Sequence, residues 1–256
     1  MKLSTDELNI LLIRFGGHKL TKPPSNAKDF FMSFFTQQTI NTFHSDISLD
    51  ITEILALYKT YYQQPGASFN AYLYYTLIQT MKKEDFSFLR HRFINDTWYE
   101  FDNPAVFFAV GIDEPTIQQV DFFIESPANL SWSEFVKVYA TNIRACRLTQ
   151  APGTPEKQPC WYHVSHHMTS MPFSFVSYTP SQKQNDLYAH APWFVFSQRE
   201  TSKDNQVFLT VSCTLSHASA LPSDLSRFLH HLRIKLSEVP DNQKITHYFS
   251  SQTPIP

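Results

Sequence analysis

Segments with two different hydrophobic periods alternate along this chain, and this alternation restricts the folds open to it. Residues 51–63 place apolar side chains at every third or fourth position, as a helix does, whereas residues 207–216 alternate apolar and polar side chains, as a strand does. The predicted helices cover 4–15, 51–63, 70–83, 131–147 and 223–238, and the predicted strands cover 40–50, 98–101, 105–112, 117–125, 160–167, 172–179, 193–200 and 207–216. Strands interleaved with a few helices predict an α+β fold with a sheet layer and a helix layer.

The composition predicts one compact domain. The 256 residues are 42% hydrophobic and 15% aromatic but only 17% charged, which favours a packed core over disorder. The net charge of −2, without a basic run, argues against a nucleic-acid partner. The first apolar run, Ile10 to Ile13, has four residues, too few for a signal peptide or a membrane span. We therefore expect a soluble protein without a membrane partner.

The cysteines and histidines do not form a metal-binding pattern. The three cysteines, Cys146, Cys160 and Cys213, lack CxxC spacing, so neither a disulfide framework nor a zinc site is predicted and a reducing cytoplasm is expected. In "HVSHH" (163–167), His163 and His166 would lie on opposite faces of a strand, and no acidic residue or cysteine stands nearby at ligand spacing.

The junction after the last predicted strand carries a candidate catalytic residue. "VFLTVSCTLSHASALPSD" (207–224) ends its alternation at His217 and begins a helix near Pro222. Strand ends often present catalytic side chains from a rigid scaffold, and a neutral imidazole can accept a proton near neutral pH. The residues alone leave two interpretations open, a general base or a turn histidine without a chemical role.

Several segments, in order and spacing, resemble the chloramphenicol acetyltransferase family over residues 28–236. The matching segments are "SLDITEIL" (48–55), "EDFSFLRHRFINDTWYEFDNPAVFF" (84–108), "HVS" (163–165), "MPFSFVSY" (171–178), "YAHAPWFVF" (188–196) and "LSHASALPSDLSRFLHHL" (215–232). The resemblance implies a two-layer α+β fold, a mixed β-sheet with helices packed on one face. It also implies three regions: an N-terminal extension and linker (1–27), the acetyltransferase-like domain (28–238) and a C-terminal tail (239–256).

The resemblance also implies roles for four residues. His217 matches the second histidine of the family's HHxxxDG motif, which is the general base. Ser177 matches the serine that hydrogen-bonds the tetrahedral oxyanion, and Arg199 lies near the lysine that approaches the phosphates of coenzyme A. Lys203 is a second candidate for that phosphate contact. The expected co-substrate is acyl-CoA, with no permanently bound cofactor and no metal.

The chain departs from the HHxxxDG motif at three positions. Ser216, Leu221 and Pro222 replace the first histidine, the aspartate and the glycine, and the arginine that pairs with this aspartate has only Lys28 near its place. Loss of both members of a buried ion pair is compatible with folding, whereas loss of one is costly. We therefore expect Leu221 to be buried.

The resemblance predicts an acyltransferase that moves an acyl group from a thioester to a hydroxyl or amine of a small-molecule acceptor. The family is trimeric, so a cytoplasmic homotrimer is expected, in a biosynthetic pathway rather than in drug resistance. Two alternatives stay open. One is a non-catalytic trimer that binds a ligand or partner, and the other is a donor attached to an acyl carrier protein. A catalytic protein should have an open tunnel that reaches His217 from both sides, whereas a scaffold may have this tunnel filled.

Overall fold

A computed structural model describes residues 2–21, 42–112, 118–149, 159–171, 177 and 191–239. Residues 240–256 of the predicted tail, Lys28 and most of the predicted strand 172–179 lie outside these residues. The boundaries of the three predicted regions therefore stay predictions.

The larger of two sheets is mixed and has seven strands. Its order is β2-β10-β8-β7-β5-β6, with the short β9 also paired to β10. The strands are β2 (Thr42–Asp50), β5 (Val106–Ile112), β6 (Gln118–Ile124), β7 (His166–Ser170), β8 (Trp193–Phe196), β9 (Glu200–Thr201) and β10 (Val207–Ser216). β7 runs parallel to β5 and β8, and the other pairs are antiparallel. The predicted mixed sheet is confirmed, as is the hairpin of β8 and β10.

One face of this sheet carries a layer of helices. These are α2 (Thr52–Leu57), α3 (Phe69–Met81), α4 (Trp132–Thr149) and α5 (Pro222–Leu236). Alternate residues of β10, among them Leu209, Val211 and Cys213, are buried in the same apolar cluster as the helices. α3 is buried on nearly every side, as its sequence predicts. The α+β fold with helices on one face is therefore confirmed.

The N-terminal residues add a small second sheet. Helix α1 (Thr5–Phe15) starts at a capping box formed by Ser4 and Glu7 and ends at Gly16, whose φ of +64° favours glycine. The next strand, β1 (Gly17–Lys19), completes a three-stranded antiparallel sheet of order β1-β4-β3 with β4 (Thr97–Phe101) and β3 (His91–Ile94). α1 and β4 share a separate apolar cluster. The start of the chain is therefore packed against the rest of the protein.

Two predicted elements differ from the structure. The predicted helix 51–63 is divided into α2 and a π-helical turn, Tyr58–Tyr62. The predicted strand 160–167 begins as a 3₁₀ helix, Pro159–His163, because the backbone carbonyl of Trp161 accepts from both Val164 and Ser165. Only its last residues enter β7. Tertiary packing favours the 3₁₀ helix over the predicted strand here, since the Trp161 ring lies edge-on against Phe15 of α1.

Candidate functional site

A cleft of about 690 Å³ lies between the edge of the larger sheet and helix α5. Residues 43–50 of β2 form one wall, and one side of α5 forms the other. His217 lies at one end of the cleft, and Arg233 and Phe208 line it at the other. The structure thus shows a cleft that reaches His217, and the tunnel open to His217 from both sides stays a prediction.

The turn that carries His217 is built by Ser216, the residue in place of the first motif histidine. Its hydroxyl accepts from the backbone N–H of Ala218 at 3.2 Å, and its carbonyl accepts from the N–H of Ser219 and Ala220. α5 then begins at Pro222, a residue well suited to the first turn of a helix. Ser216 therefore has a structural role at this position.

His217 is half-buried, and its ring packs against Phe43 of β2, with 4.7 Å between ring centroids. Burial lowers the pKa of His217 below its ordinary value of 6.5, because the charged form loses solvation. The imidazole is therefore mostly neutral at pH 7 and able to accept a proton. These properties fit the predicted general base.

A polar network that sequence reasoning missed crosses β2 and β10 beside the cleft. The Asp46 carboxylate accepts from Nε2 of His44 at 3.0 Å and from the hydroxyl of Ser212. Since a carboxylate cannot donate, Nε2 carries a proton, and Nδ1 lies 3.1 Å from the hydroxyl of Thr214. The strand register explains the cluster, because Asp46 lies opposite Ser212 and His44 opposite Thr214.

Ser177 joins this network. It is exposed, and its hydroxyl donates to the Asp46 carboxylate. Burial would raise the pKa of Asp46, but the hydrogen bonds from Ser212 and Ser177 and the nearby His44 outweigh it, and the pKa is lower than usual. A serine hydroxyl has one proton, and here it points to Asp46. Ser177 must therefore turn away from Asp46 before it can donate to an oxyanion.

Leu221 is only partly buried, so the prediction that it is buried is wrong. It lies at the exposed start of α5, as the N-cap residue, rather than inside the core. The buried carboxylate at this helix start is Asp224, which accepts from the backbone N–H of Leu221 at 3.0 Å and from Arg227 at 2.9 Å. A carboxylate–arginine pair thus exists here, but within α5.

Arg199 and Lys203 lie away from His217. Both are exposed, and the Arg199 guanidinium lies over the Phe69 ring, 5.5 Å from its centroid. They flank β9, which pairs with the start of β10, whereas His217 follows its end. At ~3.3 Å per strand residue, roughly 25 Å or more separates the two ends. β9 and β2 pair with opposite sides of β10, and neither cation is among the described residues that line the cleft.

Two of the "HVSHH" histidines, His166 and His167, are packing residues. Nε2 of the buried His166 lies 3.0 Å from the carbonyl oxygen of Leu89, and His167 stacks on Trp193 at 4.7 Å. Burial lowers the pKa of His167 to about 3, so it stays neutral. In the described ranges, His, Cys, Asp and Glu nowhere form a group of three that could hold a metal ion. None of the described helices is both long and apolar enough to cross a membrane.

The comparisons with known proteins identify the fold. No family model matches the sequence, and no curated protein matches it either. Among solved structures, chloramphenicol acetyltransferase is similar with a TM-score of 0.66 and 14% identity, covering 86% of this chain and 100% of the other. Azotobacter vinelandii dihydrolipoamide acetyltransferase (TM-score 0.57, 12% identity) and the cubic core of a pyruvate dehydrogenase multienzyme complex (0.55, 11%) each match 87% of this chain and 92% of their own. The chain therefore has the fold of chloramphenicol acetyltransferase, as the sequence motifs predict.

Proposed function

We propose that this protein transfers an acyl group from a thioester to a hydroxyl or amine of a small molecule. The observation that carries the proposal is a neutral, half-buried imidazole, His217, at the end of a cleft in a chain with the acetyltransferase fold. The acceptor attacks the thioester carbonyl while His217 takes its proton. The tetrahedral intermediate then collapses, and the thiolate leaving group receives the proton from His217.

Ser177 stabilises the oxyanion of this intermediate. When the site is empty, the Asp46 carboxylate holds the hydroxyl. An oxyanion formed within reach of Ser177 competes for the same proton, and donation to such a charge is a large contribution to acyl transfer. Asp46 lies four residue pairs from the Ser216 end of β10, so Ser177 has to move toward His217 as well as turn away from Asp46 before it donates to the oxyanion.

The donor is acyl-CoA, which binds as a co-substrate, and no cofactor is permanently bound. Arg199 and Lys203 are the proposed phosphate contacts, supported by their exposure and by the pairing of β9 with β10 at Phe208, a residue that lines the cleft. The enzyme acts as a cytoplasmic homotrimer, with each site between two subunits, in a biosynthetic pathway.

A non-catalytic binding protein is the second candidate. Ser216 and Leu221 favour it, because they replace two residues of the motif that the resemblance associates with catalysis. The open cleft at His217 is compatible with both candidates, since a ligand-binding trimer would keep it as well.

A thiol-release assay separates the two candidates. Acyl-CoA donors of several chain lengths are combined with a panel of amines and alcohols, and free thiol is measured with and without acceptor. The enzyme should release thiol only when an acceptor is present, and mass spectrometry should find the acylated acceptor. Donor binding without acceptor-dependent release across the panel would favour the binding protein.

A further inference from the structure

The segment between β10 and α5, which carries His217, is held by a side chain at each end. At its start, the hydroxyl and the carbonyl of Ser216 accept from the backbone N–H groups of residues 218–220. At its end, the N–H of Leu221 donates to the Asp224 carboxylate at 3.0 Å. Ser216 and Asp224 thus supply the acceptors for four successive backbone N–H groups directly after the imidazole.

The Asp224 contact is one half of a capping box at the start of α5. In a complete box the N-cap side chain accepts from the N–H of the third helical residue, whose own side chain accepts from the N–H of the N-cap. The N-cap here is Leu221, and a leucine side chain has no acceptor. The side-chain part of the cap therefore depends on the Asp224 carboxylate alone.

Asp224 is placed to hold this backbone firmly. It is only 5% exposed, and a charged acceptor shielded from water forms a stronger hydrogen bond than a neutral one. Arg227 donates to its other oxygen at 2.9 Å, but the Arg227 side chain is 59% exposed, so this pair contributes less. Asp224 is not among the described residues that line the cleft, so any effect on the reaction passes through the turn.

The turn itself has little side-chain packing to hold it. Ala218 is buried in a small apolar cluster with Trp98, and Ala220 is buried too. Alanine side chains bury little apolar surface, so they stabilise one position of the backbone only weakly. The larger contact is that of the His217 ring with Phe43, and it depends on the backbone below the ring. The hydrogen bonds at the two ends of the turn therefore set the position of the imidazole.

We propose that Asp224 is a positioning residue for His217 and acts through the backbone N–H of Leu221. This inference rests on the proposed acyl transfer, and it adds a side chain that does not touch the substrate. A residue that only caps the helix would affect the free energy of unfolding alone. A positioning residue also affects kcat and the surroundings of the imidazole.

Kinetic measurements on three variants test the proposal. Asp224→Ala removes the acceptor and should lower kcat roughly tenfold or more with KM changed by less than about twofold, since a misplacement of about 1 Å can cost 10²-fold in rate. Asp224→Asn keeps an oxygen that can accept from Leu221 and should retain most of the kcat. Glu134→Ala is the matched control, because Glu134 accepts from the N–H of Ser131 at 2.8 Å in the capping box of α4. It should leave kcat and KM unchanged.

A spectroscopic measurement separates this inference from acyl transfer itself. With isotope-labelled histidine, the ring resonance that is absent from His217→Ala reports the titration of His217. Burial lowers this pKa below 6.5 in the wild-type protein, and a loosened turn admits water, so Asp224→Ala should raise the pKa toward 6.5. Asp224→Asn and Glu134→Ala should leave it at the wild-type value. This pattern supports the proposal even if no acyl transfer is found.

Two results would overturn the proposal. In the first, Asp224→Ala lowers the free energy of unfolding but leaves both kcat and the pKa of His217 at wild-type values, as a helix cap alone would. In the second, Asp224→Asn loses as much as Asp224→Ala, so that the acceptor for Leu221 is not what matters. If Asp224→Ala does not fold, Asp224→Ser takes its place, because the serine hydroxyl is too short to reach as the carboxylate does.

Discussion

Replacing Asp46 with asparagine tests the polar network that holds Ser177. The carboxylate accepts from His44, Ser212 and Ser177, and asparagine keeps its shape but removes its charge. A hydrogen bond to a charged group contributes about 1.5–3 kcal/mol and a neutral one about 0.5–1.5, so each of the three bonds loses roughly 1 kcal/mol. The Asp46 side chain is 24% exposed, and the water around it reduces the total. We expect Asp46→Asn to lower the free energy of unfolding by about 2 kcal/mol at pH 7.

The pH dependence of this loss has a definite sign. The folded-state pKa of Asp46 lies below its ordinary value of 3.8, so its stabilisation is present above that value and is lost as pH falls through the folded-state pKa. The difference between wild type and Asp46→Asn should therefore still be present at pH 5 and shrink below pH 4.

Urea unfolding followed by circular dichroism at several pH values measures this difference. Asp96→Asn is the matched control, because the Asp96 side chain is 74% exposed and pairs only on the surface with Lys2. That variant should change stability by less than about 0.5 kcal/mol. Equal stability of Asp46→Asn and wild type at pH 7 would refute the network, as would a difference that does not diminish in acid.

Three other predictions concern assembly, the turn and the base. Light scattering should give a mass near three chains of 29.8 kDa, and a monomer would contradict the proposed site between subunits. Ser216→Ala removes the buried hydroxyl that accepts from Ala218, so it should lower the free energy of unfolding in urea by about 1 kcal/mol and slow acyl transfer. An unchanged rate of acyl transfer would contradict a contribution of this turn to catalysis. Because burial lowers the pKa of His217 below 6.5, the decline of kcat/KM in acid should be centred below pH 6.5, whereas a decline centred above 6.5 would contradict that shift.

The sequence predicted correctly those helices and strands that the spacing of their own apolar side chains determines. The alternation of 207–216 and the helical period after Pro222 gave β10 and α5 within two residues, and with them the place of His217. The His44–Asp46 network could not be predicted from the sequence, because it depends on the pairing of β2 with β10. That register is a long-range property of the folded sheet.

The position of Arg233 in the cleft was hidden for a similar reason. On the sequence it is one charge on the polar side of an amphipathic helix, and only the position of α5 beside β2 makes it line the cleft. For Leu221, in contrast, the motif led to a wrong prediction. The motif comparison predicted burial, but the residue caps the exposed start of α5.

The most direct test of the account is the rate of acyl transfer by His217→Ala. We expect kcat/KM to fall by about 10²–10⁴-fold or more, with mass and urea unfolding unchanged, since a half-buried imidazole at a strand end contributes little packing. Ser177→Ala should cost on the order of 10²-fold. His231→Ala is the control, because His231 packs against Phe86 outside the cleft. A His217→Ala variant as active as wild type, with His166 or His167 essential instead, would contradict the account.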